Sequence, residues 1–236
     1  MIALLDGDIY CFRTAAGAAG ESLAIAQARL DEMVEKTLAR LNTREYIFFL
    51  SGSDNFRYRV NPEYKANRKD AVDPEHRDAL KLYAMQKWNA KLVHGMEADD
   101  ALAIEQMRSD PTGDYPETII CTIDKDLNMV PGPHFNFVKD IIYFVSYKEA
   151  ERFFWEQLLI GDKADNVIGI AGIGPVKAKR ALDGCTNSYE MFEVVRNIYN
   201  DDERMAMNAR CLWMCQKDID EWVDTEYYGE LTNSKI

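Results

Sequence analysis

IALLD at residues 2–6 and YIFFL at residues 46–50 decide the fold. Each is a short apolar run closed by polar residues, too brief for a buried helix, and each reads as a strand. Between them, residues 22–41 carry apolar side chains at helical spacing, which makes a strand, helix, strand unit. Further along, PEHRDALKLYAMQKW (74–88) predicts a helix, and residues 91–94 predict a strand running into a helix opened by Glu97. ETIICT (117–122) reads as a strand ending just before Asp124, residues 135–138 and 141–145 as shorter extended pieces, and residues 147–160 as an aromatic-rich helix. Strands alternating with helices predict an α/β protein with a mainly parallel central sheet flanked by helices on both faces. From Gly161 the chain becomes glycine-punctuated and helical. The expected division is therefore a core over 1–160, including a basic loop at about 55–78, and a helical extension over 161–236.

Composition bounds the reading. The 236 residues, 47% hydrophobic with four Trp, suffice for a full core. Five cysteines, with no CxxC pair, argue against a disulfide framework and against a thiolate zinc site, and fit reduced thiols in a cytoplasmic protein, the host's cytoplasm if the chain is phage-encoded. The apolar run after Met1 is too short for a signal segment, and none approaches membrane-spanning length, so no membrane partner is expected. A net charge of -12 is unusual for a nucleic-acid binder, but its distribution is uneven. Residues 201–230 hold nine acids against three bases, whereas residues 57–69 hold Arg57, Arg59, Lys65, Arg68 and Lys69 against Glu63 alone.

Nine carboxylates fall in five clusters: Asp6; Asp54; Glu97, Asp99 and Asp100; Asp124 and Asp126; Asp162 and Asp165. Each cluster sits where a strand ends or a helix begins, so a parallel sheet is expected to bring all five to its carboxyl edge, where open α/β folds place their sites. Hard cations such as Mg²⁺ or Mn²⁺ take such oxygen ligands, and two ions about 4 Å apart use a surplus of carboxylates. The plain alternative is helix capping, since acids in a first turn satisfy free amides and favour the dipole. Recurrence at several sheet ends favours metal.

GDKADNVIGIAGIGPVKAKRAL (161–182) spaces Gly169, Gly172 and Gly174 through a turn opening into a helix at Pro175. Exposed amides there suit a phosphate, and Lys177, Lys179 and Arg180 add charge; an ordinary glycine-capped helical hairpin is the alternative. NPEYKANRK (61–69) mixes Tyr64 with bases, either a solvated loop or an arch that gathers a phosphate backbone. Phe12 and Arg13 read as core and rim, or as a stacking platform for bases. The three histidines lack zinc or triad spacing, and no dinucleotide fingerprint or P-loop occurs.

In this order, LLDGD, SGSDNFRYRVNPEYKANRK, EADD, TIDKDLNMVPG and the 161–182 segment resemble the metal-dependent 5′ nucleases: flap endonucleases, the 5′ nuclease domain of bacterial DNA polymerase I, and tailed-phage 5′→3′ exonucleases, to which the likeness is greatest. The resemblance covers about three quarters of the chain. It implies a PIN-like 5′ nuclease core with a helical arch and a helix-hairpin-helix extension. It implies two Mg²⁺ ions, replaceable by Mn²⁺, held by Asp6, Asp54, Glu97, Asp99, Asp100, Asp124, Asp126, Asp162 and Asp165. Lys65 and Arg68 would steady the scissile phosphate alongside the catalytic Asp124 and Asp126. Phe12, Arg13, Tyr64, Lys69, Gly172, Gly174, Lys177 and Lys179 would contact DNA, with K⁺ at the hairpin. The implied activity is 5′→3′ exonucleolysis of duplex DNA in phage replication or degradation. The alternatives are flap or primer-removing endonucleolysis, including RNA:DNA hybrids, and a non-catalytic binder of DNA ends or junctions. Asp8 stands where many relatives carry a small polar residue, and the arch segment is short.

Overall fold

The computed structural model describes residues 1–109 and 117–233; the last three residues of the expected extension lie outside it. The chain opens with β1 (Ile2–Asp6), which passes without a linker into α1 (Gly7–Gly17). Next come α2 (Leu23–Arg40), β2 (Tyr46–Ser51), α3 (Arg57–Val60), α4 (Arg77–Lys87), β3 (Lys91–Val93), α5 (Ala98–Ser109), β4 (Thr118–Cys121), β5 (Gly132–Asn136), β6 (Ile141–Val145) and α6 (Tyr147–Ile160). A small hairpin of β7 (Gly161–Asp162) and β8 (Val167–Ile168) leads to α7 (Pro175–Ala181), α8 (Ser188–Tyr199), α9 (Asp202–Leu212) and α10 (Glu226–Asn233).

The six-stranded sheet has the order β3-β2-β1-β4-β5-β6, parallel except for the β5–β6 pair. Successive residues of β1 serve opposite faces. Leu4 joins Ile120, Leu102 and Leu158 in one core, while Ala3 and Leu5 join Cys121, Leu30 and Leu80 in the other. Strands buried on both faces need continuous apolar runs, which is why IALL and TIIC lack the alternation of a half-exposed strand. The first core continues without a break into the C-terminal helices through Phe192, Met205, Trp222 and Leu231, so the extension is packed onto the sheet and is not a separate body. Each fully buried Leu or Phe contributes about 1.5–3 kcal/mol against exposure.

Chain order reverses between β1 and its neighbours, β2 on one side and β4 on the other. That switch opens the crevice in which Asp6 and Asp124 sit. Gly7 makes the tight β1–α1 junction possible, because a Cβ there would stand 2.3 Å from the carbonyl oxygen of Phe49.

Two expectations need correction. Residues 7–17 form a helix directly after β1, in a stretch to which the sequence reading assigned no element. The segment at 55–78 is not a helical arch: apart from the single turn of α3 and the first residues of α4 it is turns, one 3₁₀ turn at Ala66–Arg68, and irregular backbone. Lys65 adopts a left-handed φ of 55°, and Asn67 and Arg68 donate to the carbonyls of Lys163 and Ala164, which ties the turn to the β7–β8 hairpin. All five cysteines are unpaired. Among the described residues, no helix is long and apolar enough to cross a membrane.

Candidate active site

Asp6 ends β1 and also caps α1, its Oδ1 accepting from the Ile9 amide at 3.2 Å. Its Oδ2 accepts from Thr122 Oγ1 at 2.6 Å, a residue just past β4, so the central crevice is bridged by one hydrogen bond. Thr122 Oγ1 also accepts from the Asp124 amide, and Asp124 Oδ1 accepts from the Asp126 amide, which orders the DKD turn. Asp6, Asp99, Asp124, Asp126, Glu97, Asp162 and Asp165 all line one cleft of about 1010 Å³.

Burial raises the Asp6 carboxyl to about 7, and the charges of Asp8 and Asp124 add to the rise. Burial and the same kind of repulsion, here from Asp6, Asp124 and Glu97, push Asp99 well above the ordinary carboxylate range. Asp126 is raised to about 6 by burial and by Asp124. Among the described residues no basic side chain forms an ion pair with Asp6, Asp99 or Asp124. Nor do any three His, Cys, Asp or Glu side chains close into a ready-made cage. Buried, mutually repelling carboxylates without a protein counter-charge fit a hard divalent cation that keeps part of its water shell.

The other half of the cleft is neutralised by protein. Lys65 pairs with Glu97 and lies 3.7 Å from Asp165 Oδ2, and Arg68 Nη2 donates to Asp165 Oδ1 at 2.5 Å. Burial alone would lower the Lys65 ammonium, but Glu97 and Asp165 outweigh it and hold it above its ordinary value. Lys125 bridges Asp126 and Asp162 at 3.4 and 3.5 Å, and Gln157 Nε2 donates to Asp126 Oδ1 at 2.8 Å. The hairpin that carries Asp162 and Asp165 turns back on α6 so closely that a Cβ on Gly169 would stand 2.3 Å from the Ile160 carbonyl.

Matching against families gives residues 1–157 as the 5′-3′ exonuclease, N-terminal resolvase-like domain. The chain belongs to that family. It is thus a member of a family of hydrolytic nucleases. DNA polymerase I of Bacillus caldotenax is 27% identical over 170 residues, 64% of this chain and 19% of that protein. The Pseudomonas aeruginosa polymerase is 25% identical over 208 residues, 80% of this chain and 23% of its own. The chain therefore spans about a fifth of the length of these relatives. Among solved structures, bacteriophage T5 5′-exonuclease with bound zinc superposes with a TM-score of 0.69 at 18% identity, covering 98% of this chain and 96% of that one. The phage T5 flap endonuclease in a pseudo-enzyme–product complex with DNA and metal ions gives 0.69 at 16%, covering 98% of each. The catalytic core of Rad2 in complex with DNA substrate gives 0.53 at 14%, covering all of this chain and 79% of that one. These structures share the fold.

Three expected site residues stand elsewhere than the sequence suggested. Asp54 is outside the cleft: the turn after β2 carries it to the β3–α5 loop, where it accepts from the Gly95 amide at 2.9 Å and contacts His94 Nδ1 at 3.2 Å. Asp100 is fully buried, and both oxygens are taken by the Arg57 guanidinium at 2.6 and 2.8 Å and by the amides of Glu97 and Cys215. Burial raises its carboxyl, yet Arg57 and these bonds together outweigh that and hold it below the ordinary value. Asp100 is a structural anchor and leaves the metal set. Tyr64, expected to touch DNA, is buried, with its hydroxyl at 2.7 Å from Asp165 and 3.2 Å from Glu97.

Phe12 is exposed on the cleft rim and Lys69 lines the cleft, whereas Arg13 is exposed but not among the lining residues. Gly172, Lys177 and Lys179 are exposed around the start of α7, with Gly174 half-buried, outside the cleft. Sequence reasoning missed Thr122, Gln157 and Lys125, and it read Arg57 only as part of a basic stretch, not as the partner of Asp100. Thr122 and Lys125 were within reach as neighbours of the DKD acids. Arg57 and Gln157 gave no local signal, because their partners lie 43 and 31 residues away.

Proposed function

We propose that the chain is a Mg²⁺-dependent 5′→3′ exodeoxyribonuclease that hydrolyses phosphodiester bonds from the 5′ ends of duplex DNA. The observation that carries this reading is the unneutralised group Asp6, Asp99 and Asp124 beside a cationic turn in one cleft, in a chain of this nuclease family. Asp6, Asp99, Asp124, Asp126 and Asp162, with Glu97 and Asp165, would hold two ions. When bound, such ions supply an activated water and stabilise the departing 3′ oxygen.

The protein's own part is positioning. Lys65 and Arg68 present positive charge to the scissile phosphate as negative charge builds on it. Their pairing with Glu97 and Asp165 fixes them beside the carboxylates while the cleft is free of DNA. Phe12 offers a ring for the terminal base. Glycine turn and basic α7 start, with Gly172, Gly174, Lys177 and Lys179, would grip the duplex backbone, with K⁺ as a further ligand of that turn. Flap or primer-removing cleavage is the second reading, since a flap endonuclease bound to DNA shares this fold over 98% of each chain.

The test is product length from 5′-labelled blunt and 5′-flapped duplexes, with Mg²⁺ and with chelator. Metal-dependent mononucleotides or very short products from blunt ends support the exonuclease, and flap-length products support the second reading. Binding without cleavage in Mg²⁺ would overturn both. Lys65→Ala should slow turnover by about 10²–10³-fold, as loss of a transition-state contact does.

A further inference from the structure

α4 brings a second pair of cations to the cleft, separate from Lys65 and Arg68. Arg77 and Lys81 are four residues apart, hence on one face of the helix, and both line the cleft together with Phe12. Lys81 Nζ stands 2.5 Å from Asp8 Oδ1, as an ion pair and not as an aligned hydrogen bond. Asp8 Oδ2 accepts from the Ser51 amide at 2.9 Å. Both Asp8 oxygens are therefore engaged, which makes this carboxylate a mount for Lys81. An ammonium has three donors and Asp8 engages one side of it; the Lys81 side chain remains 20% exposed toward the cleft. Arg77 spends Nη1 on Asp73 at 2.6 Å, while its Nε is buried with no hydrogen-bond partner. The Phe12 side of the same wall is 44% exposed.

We infer that Arg77 and Lys81 form a second phosphate subsite, which binds one phosphate of the DNA strand with the adjoining base against Phe12. This rests on the DNA-hydrolysis reading above and deepens it. Lys65 and Arg68 are fastened to the β7–β8 hairpin through Asp165 and Ala164, whereas Arg77 and Lys81 ride on α4, which packs on α1. Two phosphates of one strand are thus held by different elements, which aligns the scissile one, at Lys65 and Arg68, over the carboxylates. An internal diester and a terminal 5′-phosphate present the same oxygens to this pair.

The experiment measures binding in chelator and cleavage in Mg²⁺ for Lys81→Met, Lys81→Arg and the exposed control Lys139→Met, each on 5′-phosphorylated and 5′-hydroxyl duplexes. Lys81→Met should weaken binding about tenfold and reduce the slope of log affinity against log salt by roughly 0.9, the release expected of one phosphate contact, with Lys81→Arg restoring both. KM should rise more than kcat falls. Equal weakening on both duplexes assigns an internal phosphate; weakening confined to the 5′-phosphorylated duplex assigns the terminal one. If Lys81→Met lowers the melting temperature sharply, the double variant Asp8→Asn/Lys81→Met, which leaves no unpaired charge, carries the same salt-slope test. A salt slope and KM matching Lys139→Met would overturn the subsite. Failure of the DNA reading itself would look different, because the unsubstituted protein would then cleave neither duplex.

Discussion

Asp6→Asn should stabilise the metal-free protein and abolish its response to metal. The Asp6 carboxyl sits at about 7 in the fold against 3.8 in the unfolded chain. About three units at roughly 1.4 kcal/mol each make its ionised form cost about 4 kcal/mol at pH 8. An amide resembles the protonated acid and can keep the Ile9 bond, but it faces the Thr122 hydroxyl with a donor and forfeits about 1–2 kcal/mol there. The net gain is about 2 kcal/mol, or a melting temperature higher by about 4–8 °C for a chain of this size. The folded carboxyl binds the extra proton between pH 4 and 7, so its penalty is fully present above pH 7 and relieved on acidification. The gap should therefore narrow at pH 5. Melting curves in chelator and in saturating Mg²⁺, at pH 8 and pH 5, check this. The unsubstituted protein should gain stability from Mg²⁺ and overtake the variant, whose nuclease activity should be lost. A variant that melts at or below the unsubstituted protein in chelator at pH 8 would refute the reasoning.

Arg57→Met leaves the Asp100 carboxylate buried without its partner and should cost about 3–5 kcal/mol by denaturant unfolding, with much of the loss recovered by Arg57→Met/Asp100→Leu. His134 is buried, donates Nε2–H to the Val130 carbonyl, has no partner at Nδ1, and is lowered to about 4 by burial. Because the fold binds fewer protons between pH 6.5 and 4, stability present above pH 6.5 is lost as pH falls through that window. Relative to His134→Gln, the protein should lose about 3 kcal/mol between pH 7 and pH 4 in paired denaturant titrations. Gly169→Ala drives a Cβ into the Ile160 carbonyl; it should cost about 1–3 kcal/mol and reduce Mg²⁺-dependent cleavage more than DNA binding, since Asp162 and Asp165 shift with the hairpin.

The sheet was legible because strands buried on both faces leave continuous apolar runs, and β2, β6 and α6 lie within a residue of their sequence-read bounds. Helix α1 was hidden by its mixed composition and by following β1 with no turn residue other than Gly7. In the EADD run, spacing alone could not separate Asp99 from Asp100. Successive helical residues point about 100° apart, so one faces the cleft and the other the interior, and only the distant Arg57 reveals which. Asp54 lies three residues beyond β2, far enough for a turn to carry it off the edge. Charge patterning located the Lys65 and Arg68 turn, but its tethering to residues 163–165 is a tertiary matter that no local window contains.

Arg57 also donates to the carbonyls of Cys211 and Trp213, and Cys211, Leu212 and Met214 line the same cleft as the carboxylates. The family-matched residues 1–157 thus omit one side of this cleft. A fragment cut at that boundary would hold most of the acids yet strip the cover from the Arg57–Asp100 pair and open the cleft to bulk water. For anyone engineering or grafting this fold, the smallest portable unit extends at least through Cys215.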